Sequence, residues 1–295
     1  MEGCTLCPRL CGAKRSAGEV GFCGQDGTVR IARAALHPFE EPPISGERGS
    51  GTVFFVGCSL RCAFCQNNVI SRAERIGRPV TPETLADEFL KLEAQGAHNI
   101  NLVTPTHFAD GVIEALTLAR PRLTVPVVYN SSGYERVETL RRLEGLVDIY
   151  LPDFKYVSSE LSARYSAAPD YAEVASTALC EMLRQVGRYD IGENGLMRRG
   201  MIVRHLVLPK GRKDSMAVLD HLAELFEPSD ILLSLMSQYT PEFAMDSPHT
   251  ELHRRITTFE YQSVVDHAHA LGFDGFMQEK SSATAAYTPD FEVGE

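Results

Sequence analysis

Thr52-Val-Phe-Phe-Val-Gly-Cys58-Ser-Leu-Arg-Cys62-Ala-Phe-Cys65 is the stretch on which the fold and the chemistry of this chain turn. Its first five residues are β-branched or aromatic, the composition of a strand buried in a sheet. Three cysteines follow at once, spaced C-x3-C-x2-C, with Phe64 before the last. Three thiolates so placed can hold three irons of a 4Fe–4S cluster and leave the fourth iron without a protein ligand. A structural zinc site asks for a fourth N or S ligand. The loop has none, and Cys180 or a histidine would have to come from elsewhere. An open iron beside a strand end is a place for a small molecule to bind and react.

The surrounding chain fits that reading. It has 295 residues, 44% hydrophobic and 23% charged, as in ordinary globular proteins, and is long enough for a sizeable core. A net charge of −10 without a long basic run argues against nucleic acid as a partner, because phosphate binding draws on clustered Lys and Arg. No apolar run approaches the roughly 18 residues of a membrane span. The opening Met1-Glu-Gly-Cys-Thr-Leu-Cys has no signal-peptide pattern, so the expected location is the cytoplasm. Thiols there stay reduced, and clustered cysteines bind metal more often than they pair.

Residues 1–50 hold four of the eight cysteines, several glycines and the Pro-rich stretch His37-Pro-Phe-Glu-Glu-Pro-Pro-Ile-Ser-Gly46. Without sustained periodicity they read as a metal-stapled loop region and linker, followed by a main domain over 51–295. From residue 51 onward short apolar runs alternate with amphipathic ones. Strands are expected at 52–56, 99–103, 125–130, 147–151, 201–208 and 231–235, with a seventh short run at 275–278. Helices are expected at 82–95 (Thr81 as N-cap), 108–120, 137–144, 172–186, 216–226 and 258–271. This alternation implies βαβ units on a parallel sheet, an α/β open or partial (β/α) barrel whose reactive rim follows the strand ends.

The segment Cys58-Ser-Leu-Arg-Cys62-Ala-Phe-Cys65 resembles the signature of radical S-adenosylmethionine (SAM) enzymes, including the aromatic residue before the third cysteine. Glu40-Glu-Pro-Pro-Ile-Ser-Gly46, Gly49-Ser-Gly-Thr-Val-Phe-Phe55 and Cys65-Gln-Asn67 are similar to the branch named after the pyruvate formate-lyase activating enzyme. The resemblance runs from Cys4 to about residue 280. It implies a partial (β/α)6 TIM-like barrel. The open iron would chelate the amino and carboxylate groups of SAM, and the reduced cluster would cleave it to methionine and a 5′-deoxyadenosyl radical that abstracts hydrogen. It further implies a flavodoxin- or ferredoxin-like electron donor. The substrate would be a glycyl site on a partner protein, a peptide or a small molecule.

The family's rim after the second strand usually carries a Gly-Gly-Glu-Pro-like motif, and here stands Val103-Thr-Pro-Thr-His-Phe108 instead. Thr104, Thr106 and His107 are the polar candidates to hold SAM there; a turn and helix cap is the plainer alternative. Tyr129-Asn-Ser-Ser-Gly-Tyr134 resembles the family's Thr-Asn-Gly segment and offers Asn130 and Ser132. Asp148-Ile-Tyr-Leu-Pro-Asp-Phe-Lys155 resembles an Asp-x-Lys rim, with Asp153 and Lys155 on one face of a strand. Those two are candidates for cofactor binding and for a catalytic role, or else form a simple ion pair. Arg204, inside the apolar run Met201-Ile-Val-Arg-His-Leu-Val-Leu-Pro209, needs a partner, either a ligand carboxylate or an internal Asp or Glu. His205 would face the other way, as a structural residue. Met236, Gln238 and Tyr239 are candidates to touch adenine or substrate.

Cys4, Cys7, Cys11 and Cys23 form a second set, C-x2-C-x3-C-x11-C, whose four soft ligands suit tetrahedral zinc or a second iron–sulfur cluster. Its role is read as a structural staple, with a redox relay as the alternative. Cys180 reads as a buried apolar residue. The adjacent carboxylates Glu40 and Glu41 read either as part of a solvated linker or as a contact to substrate or lid.

Overall fold

In the computed structural model, residues 3–278 and Phe291 are described; the end of the 51–295 domain expectation lies outside the described residues. Among the described residues there are ten strands: β1 Arg30–His37, β2 Ser50–Phe55, β3 Arg78–Pro79, β4 Ile100–Val103, β5 Val127–Ser131, β6 Ile149–Pro152, β7 Asp190–Ile191, β8 Met197–Leu206, β9 Leu232–Met236 and β10 Gly275–Met277. The helices are α1 Pro42–Ser45, α2 Asn68–Ser71, α3 Pro82–Ala94, α4 Ala109–Ala119, α5 Val137–Arg141, α6 Ser159–Ser166, α7 Tyr171–Val186, α8 Arg212–Leu225 and α9 Thr258–Ala270. Thr81 caps α3 as expected, its side chain accepting from Thr84 N.

Strands β2, β4, β5, β6, β8, β9 and β10 lie side by side in chain order, each parallel to the next. Sequential winding of this kind is that of a (β/α) barrel. The sheet does not close: β10 ends one side, and the antiparallel pair β1 and β3 ends the other. All seven expected strands are present in this parallel set.

Residues 30–37, read from the sequence as loop and linker, are instead strand β1, paired antiparallel with β2. Their alternation is weak, with Ala32, Ala34 and Ala35 among them, so local pattern did not mark a strand. The unpaired edge of β2 decides the conformation, since its backbone groups need partners.

The period of two along each strand separates two cores. Val127, Tyr129, Tyr150, Met201, Val203, Ile231 and Leu233 face the helix layer and pack on Phe89, Leu116, Leu179, Leu219 and Val264. Val128, Ile149, Leu151, Ile202 and Leu232 face inward, where Ile44 of α1 and Met197 join them. The inner face therefore has an apolar base plugged by α1. Two residues further along the strands it becomes polar, with Asn130, Asp153, Arg204 and Ser234 following Val128, Leu151, Ile202 and Leu232. At the end of β2, Gly57 takes φ 89°, and a Cβ there would lie 2.6 Å from Cys23 O. Glycine thus lets the chain turn sharply out of the sheet and places Cys58 on the rim.

Among the described residues no helix is long and apolar enough to cross a membrane.

Candidate active site

Cys62 and Cys65 open on a cavity of about 270 Å³ at the inner rim. Its wall also holds Phe64, Gln66 and Asn67 from the same loop, and Asn130, Asp153, Lys155, Arg204 and Ser234 from the polar inner face. Each of the three thiols receives one donor: Leu60 N to Cys58 Sγ at 3.3 Å, Ser166 Oγ to Cys62 Sγ at 3.1 Å, and Ser71 Oγ to Cys65 Sγ at 3.3 Å. Burial, reinforced by Cys62 and Cys65, pushes the Cys58 thiol up to about 12. Burial and Cys62 also raise Cys65. Three clustered sulfur groups that repel one another as thiolates are arranged for a positively charged partner.

Behind the cysteines lies a charged network. Arg204 Nε donates to Asp153 Oδ1 at 3.0 Å and its NH2 to Asn130 Oδ1 at 2.5 Å, while NH1 stands 3.5 Å from Glu40 Oε2. Lys155 Nζ donates to Asp153 Oδ2 at 2.6 Å. Burial alone would raise the Asp153 carboxyl, but Lys155 and Arg204 pull it below its ordinary value. For Arg204 burial works against the charge, and Asp153, Glu41 and Glu40 more than restore it. The sequence-predicted residues Asn130, Asp153, Lys155 and Arg204 thus share one cavity with the cysteines. Met236 and Gln238 line it too.

Other expected residues lie elsewhere. Thr104 is half-buried next to Val103, and it is Val103 that reaches the cavity wall. Thr106 Oγ1 donates to Glu135 Oε1 at 2.5 Å, and His107 Nε2 bonds Val56 O at 2.7 Å, so both are spent inside the fold. Ser132 is buried away from the cavity wall, and its backbone oxygen accepts from Tyr171 OH at 2.8 Å. Tyr239 is core, donating to Leu252 O at 2.5 Å. His205 is structural as read, held between Phe154 O at 2.7 Å and Ser215 Oγ at 2.9 Å. Cys180 is corrected: it is exposed on α7, opposite the buried face formed by Ala175, Leu179 and Met182.

The linker reading of Glu40 and Glu41 is also overturned. Both line the cavity, and Asn101 Nδ2 donates to Glu40 Oε1 at 2.8 Å. Their place beside Pro42 and Pro43 gave the one available signal, because two prolines fix the chain's path. Gln66 and Asn67 directly follow Cys65 and were legible as neighbours, though not as cavity walls.

Glu135 was missed altogether. It is a buried carboxylate that accepts from Thr106 and, at 3.3 Å, from Tyr129 OH, and burial raises it to about 7. A carboxyl whose folded value lies above its ordinary 4.5 keeps a proton that the unfolded chain has already released. Stability from this group is therefore greatest at low pH and falls as pH rises from about 4.5 through about 7. Glu135→Gln removes that slope. Between pH 4 and pH 8 the stability difference should move by about 3 kcal/mol in favour of the variant. Urea unfolding at the two pH values measures it, and a pH-independent difference would show that folding leaves the Glu135 carboxyl at its ordinary value.

Residues 52–191 match the family model of the radical SAM superfamily. The chain is 28% identical over 286 residues to the uncharacterized protein MJ0674 of Methanocaldococcus jannaschii, covering 93% of this chain and 76% of that one. It is 26% identical over 156 residues to the uncharacterized protein MJ0808 of the same organism, covering 48% and 46%. Among solved structures the fold is similar to Streptococcus suis SuiB bound to S-adenosylmethionine, with a TM-score of 0.50 and 12% identity. That match covers 75% of this chain but only 48% of SuiB, so the chain spans about half the length of that protein.

The matched family model implies a 4Fe–4S cluster and SAM, and the triplet fits the cluster. It presents three soft sulfurs, each with one hydrogen-bond donor, around a cavity lined by two of them. Among the described residues no three His, Cys, Asp or Glu side chains converge closely enough to hold a single metal ion. A four-iron cluster takes its thiolates on separate irons and asks for a wider triangle.

The N-terminal set lies close by. Cys23 O accepts from Cys58 N at 3.2 Å. Burial, with Cys23 and Cys4 adding to it, pushes the Cys7 thiol up to about 12. Burial raises Cys23 as well, with Cys4 and Cys11 contributing.

Proposed function

We propose that this chain is a radical SAM enzyme in which Cys58, Cys62 and Cys65 hold a 4Fe–4S cluster and the adjoining cavity receives SAM and a substrate. When bound, the cluster and SAM supply a 5′-deoxyadenosyl radical, and the protein supplies orientation and exclusion of water. The single observation that carries the proposal is the shared cavity of Cys62 and Cys65 with Asn130, Asp153, Lys155 and Arg204. Arg204 and Lys155 are suited to a carboxylate of SAM, and Asn130 and Asp153 orient them. Thr104, Thr106, His107 and Ser132 have no support as ligands from their positions.

The target of the radical is proposed to be a small molecule or a narrow peptide tip held within the barrel. His37, Phe39, Glu40, Glu41 and Pro42 occupy one wall of the cavity, leaving little room for a folded loop. The glycyl-activase reading, carried by resemblance to the pyruvate formate-lyase activating enzyme, needs that wall to move aside. A flavodoxin- or ferredoxin-like protein is the proposed electron source.

Cys4, Cys7, Cys11 and Cys23 are proposed as ligands of a structural metal, zinc or a second cluster. The packing of Cys23 against the main cysteine loop supports this, and a single zinc ion needs the four thiols drawn closer than in the structure, where no three converge among the described residues. Release of 5′-deoxyadenosine by the dithionite-reduced, iron-loaded protein tests the assignment. An iron-loaded protein that leaves SAM intact would reduce it to a metal-binding module.

A further inference from the structure

Two carboxylates in the cavity wall have no part in the chemistry above. Glu40 is tied to β4 through Asn101 and stands beside Arg204. Glu41 is only 8% exposed, yet its Oε2 is buried with no hydrogen-bond partner. Ser234, 1% exposed and opposite Arg204 in the β8–β9 register, lines the same cavity with an unpartnered Oγ. Asn101 Oδ1, on the amide that holds Glu40, is likewise unpartnered. A buried acceptor left without a donor is costly to keep, so Glu41 Oε2 and Ser234 Oγ, both on the wall of one cavity, call for a donor-rich guest.

Charge points the same way. Three acidic groups, Glu40, Glu41 and Asp153, line the cavity with two cations, Arg204 and Lys155, and Glu40, raised to about 7 by burial and its acidic neighbours, ionises fully only when a further cation stands beside it. His37, also on the wall, is held below its ordinary value by burial and Arg33 and adds no charge at neutral pH. A buried excess of negative charge is unfavourable until a cation joins it. One group with several N–H donors and a single positive charge would satisfy both the orphaned acceptors and the charge.

Resting on the radical SAM reading, we propose that Glu40 and Glu41, with Ser234, bind a cationic nitrogen group of the substrate, an alkylammonium or guanidinium. The molecule that loses hydrogen is then an amine- or guanidine-bearing compound, with its cation anchored at the wall formed by Glu40, Glu41 and Ser234. SAM carries an ammonium of its own, and the test must separate the two sources.

The probes are n-propylammonium and its neutral counterpart 1-propanol, titrated calorimetrically into the full-length protein at constant ionic strength. Wild type should bind propylammonium at least about tenfold more tightly than propanol, the difference expected for a charge-assisted hydrogen bond. Glu41→Gln should weaken propylammonium binding about tenfold, and Glu40→Gln/Glu41→Gln should abolish it, with SAM affinity moving less than about twofold. Ser234→Ala, a smaller change, should weaken the amine by about threefold and guards against a folding defect in the glutamine variants. Equal binding of amine and alcohol, or unchanged amine binding in the variants, would overturn the proposal. A tenfold loss of SAM affinity in Glu41→Gln would assign the carboxylates to SAM and overturn it as well. The wild-type comparison needs neither a reduced cluster nor SAM turnover, so its outcome is independent of whether SAM is cleaved.

Discussion

Cys58→Ala protein, reconstituted with iron and sulfide and reduced with dithionite, should release no measurable 5′-deoxyadenosine, a fall of at least about a thousandfold. Each tenfold in rate is about 1.4 kcal/mol of barrier, and losing a ligand of the reactive centre removes the chemistry outright. Cys58 stands at the turn out of β2, fixed by the left-handed Gly57 and by its N–H bond to Cys23 O. Cys180→Ala serves as the control. That thiol is exposed on α7, far along the helix layer, and its loss should leave iron content and turnover unchanged. Cleavage by Cys58→Ala above about one per cent of wild type would contradict the cluster assignment.

Arg204→Met should cost about 3 kcal/mol of folding stability, the scale for removing one partner of a buried ion pair. Asp153 keeps Lys155 at 2.6 Å, so the group left exposed to the loss is Glu40, already raised to about 7 by burial with Arg204 holding it down. Without Arg204 its folded value climbs further above the unfolded one. The penalty should therefore be small at acidic pH and grow as pH rises past neutrality. Adding Glu40→Gln to Arg204→Met should recover about half of the loss, and the double-mutant cycle measures the coupling. A cost below about 1 kcal/mol at pH 8, or no recovery, would mean that water screens the network.

Much of this was legible in the sequence because the strands obey a simple period. Val128, Leu151, Ile202 and Leu232 are apolar, and the residues two places on are Asn130, Asp153, Arg204 and Ser234. A strand that turns from apolar to polar on one face has reached a rim; Asp153 and Lys155 were singled out by their resemblance to an Asp-x-Lys rim on one strand face, and Arg204 because a charge inside an apolar run needs a partner. The triplet was legible because spacing and a preceding strand are both local.

What failed was non-local. Strand β1 depends on the open edge of β2 rather than on its own weak alternation. Glu40 and Glu41 looked like linker carboxylates because only the docking of α1, with Ile44 in the inner core, turns them toward the cavity. Thr106 and His107 looked available because nothing in the sequence shows that Glu135 and Val56 O claim them. Glu135 itself sits just before a helix, where a carboxylate normally reads as a solvated cap, and only tertiary packing buries it.

The central claim is that three cysteines at the end of one strand hold a cluster whose open iron activates SAM in the cavity behind them. It is tested most directly by incubating the iron- and sulfide-reconstituted wild-type protein with SAM, with and without dithionite, and separating the products by chromatography. The expected result is 5′-deoxyadenosine and methionine in equal amounts, formed only with the reductant. Fully iron-loaded, reduced protein that returns SAM unchanged would contradict it.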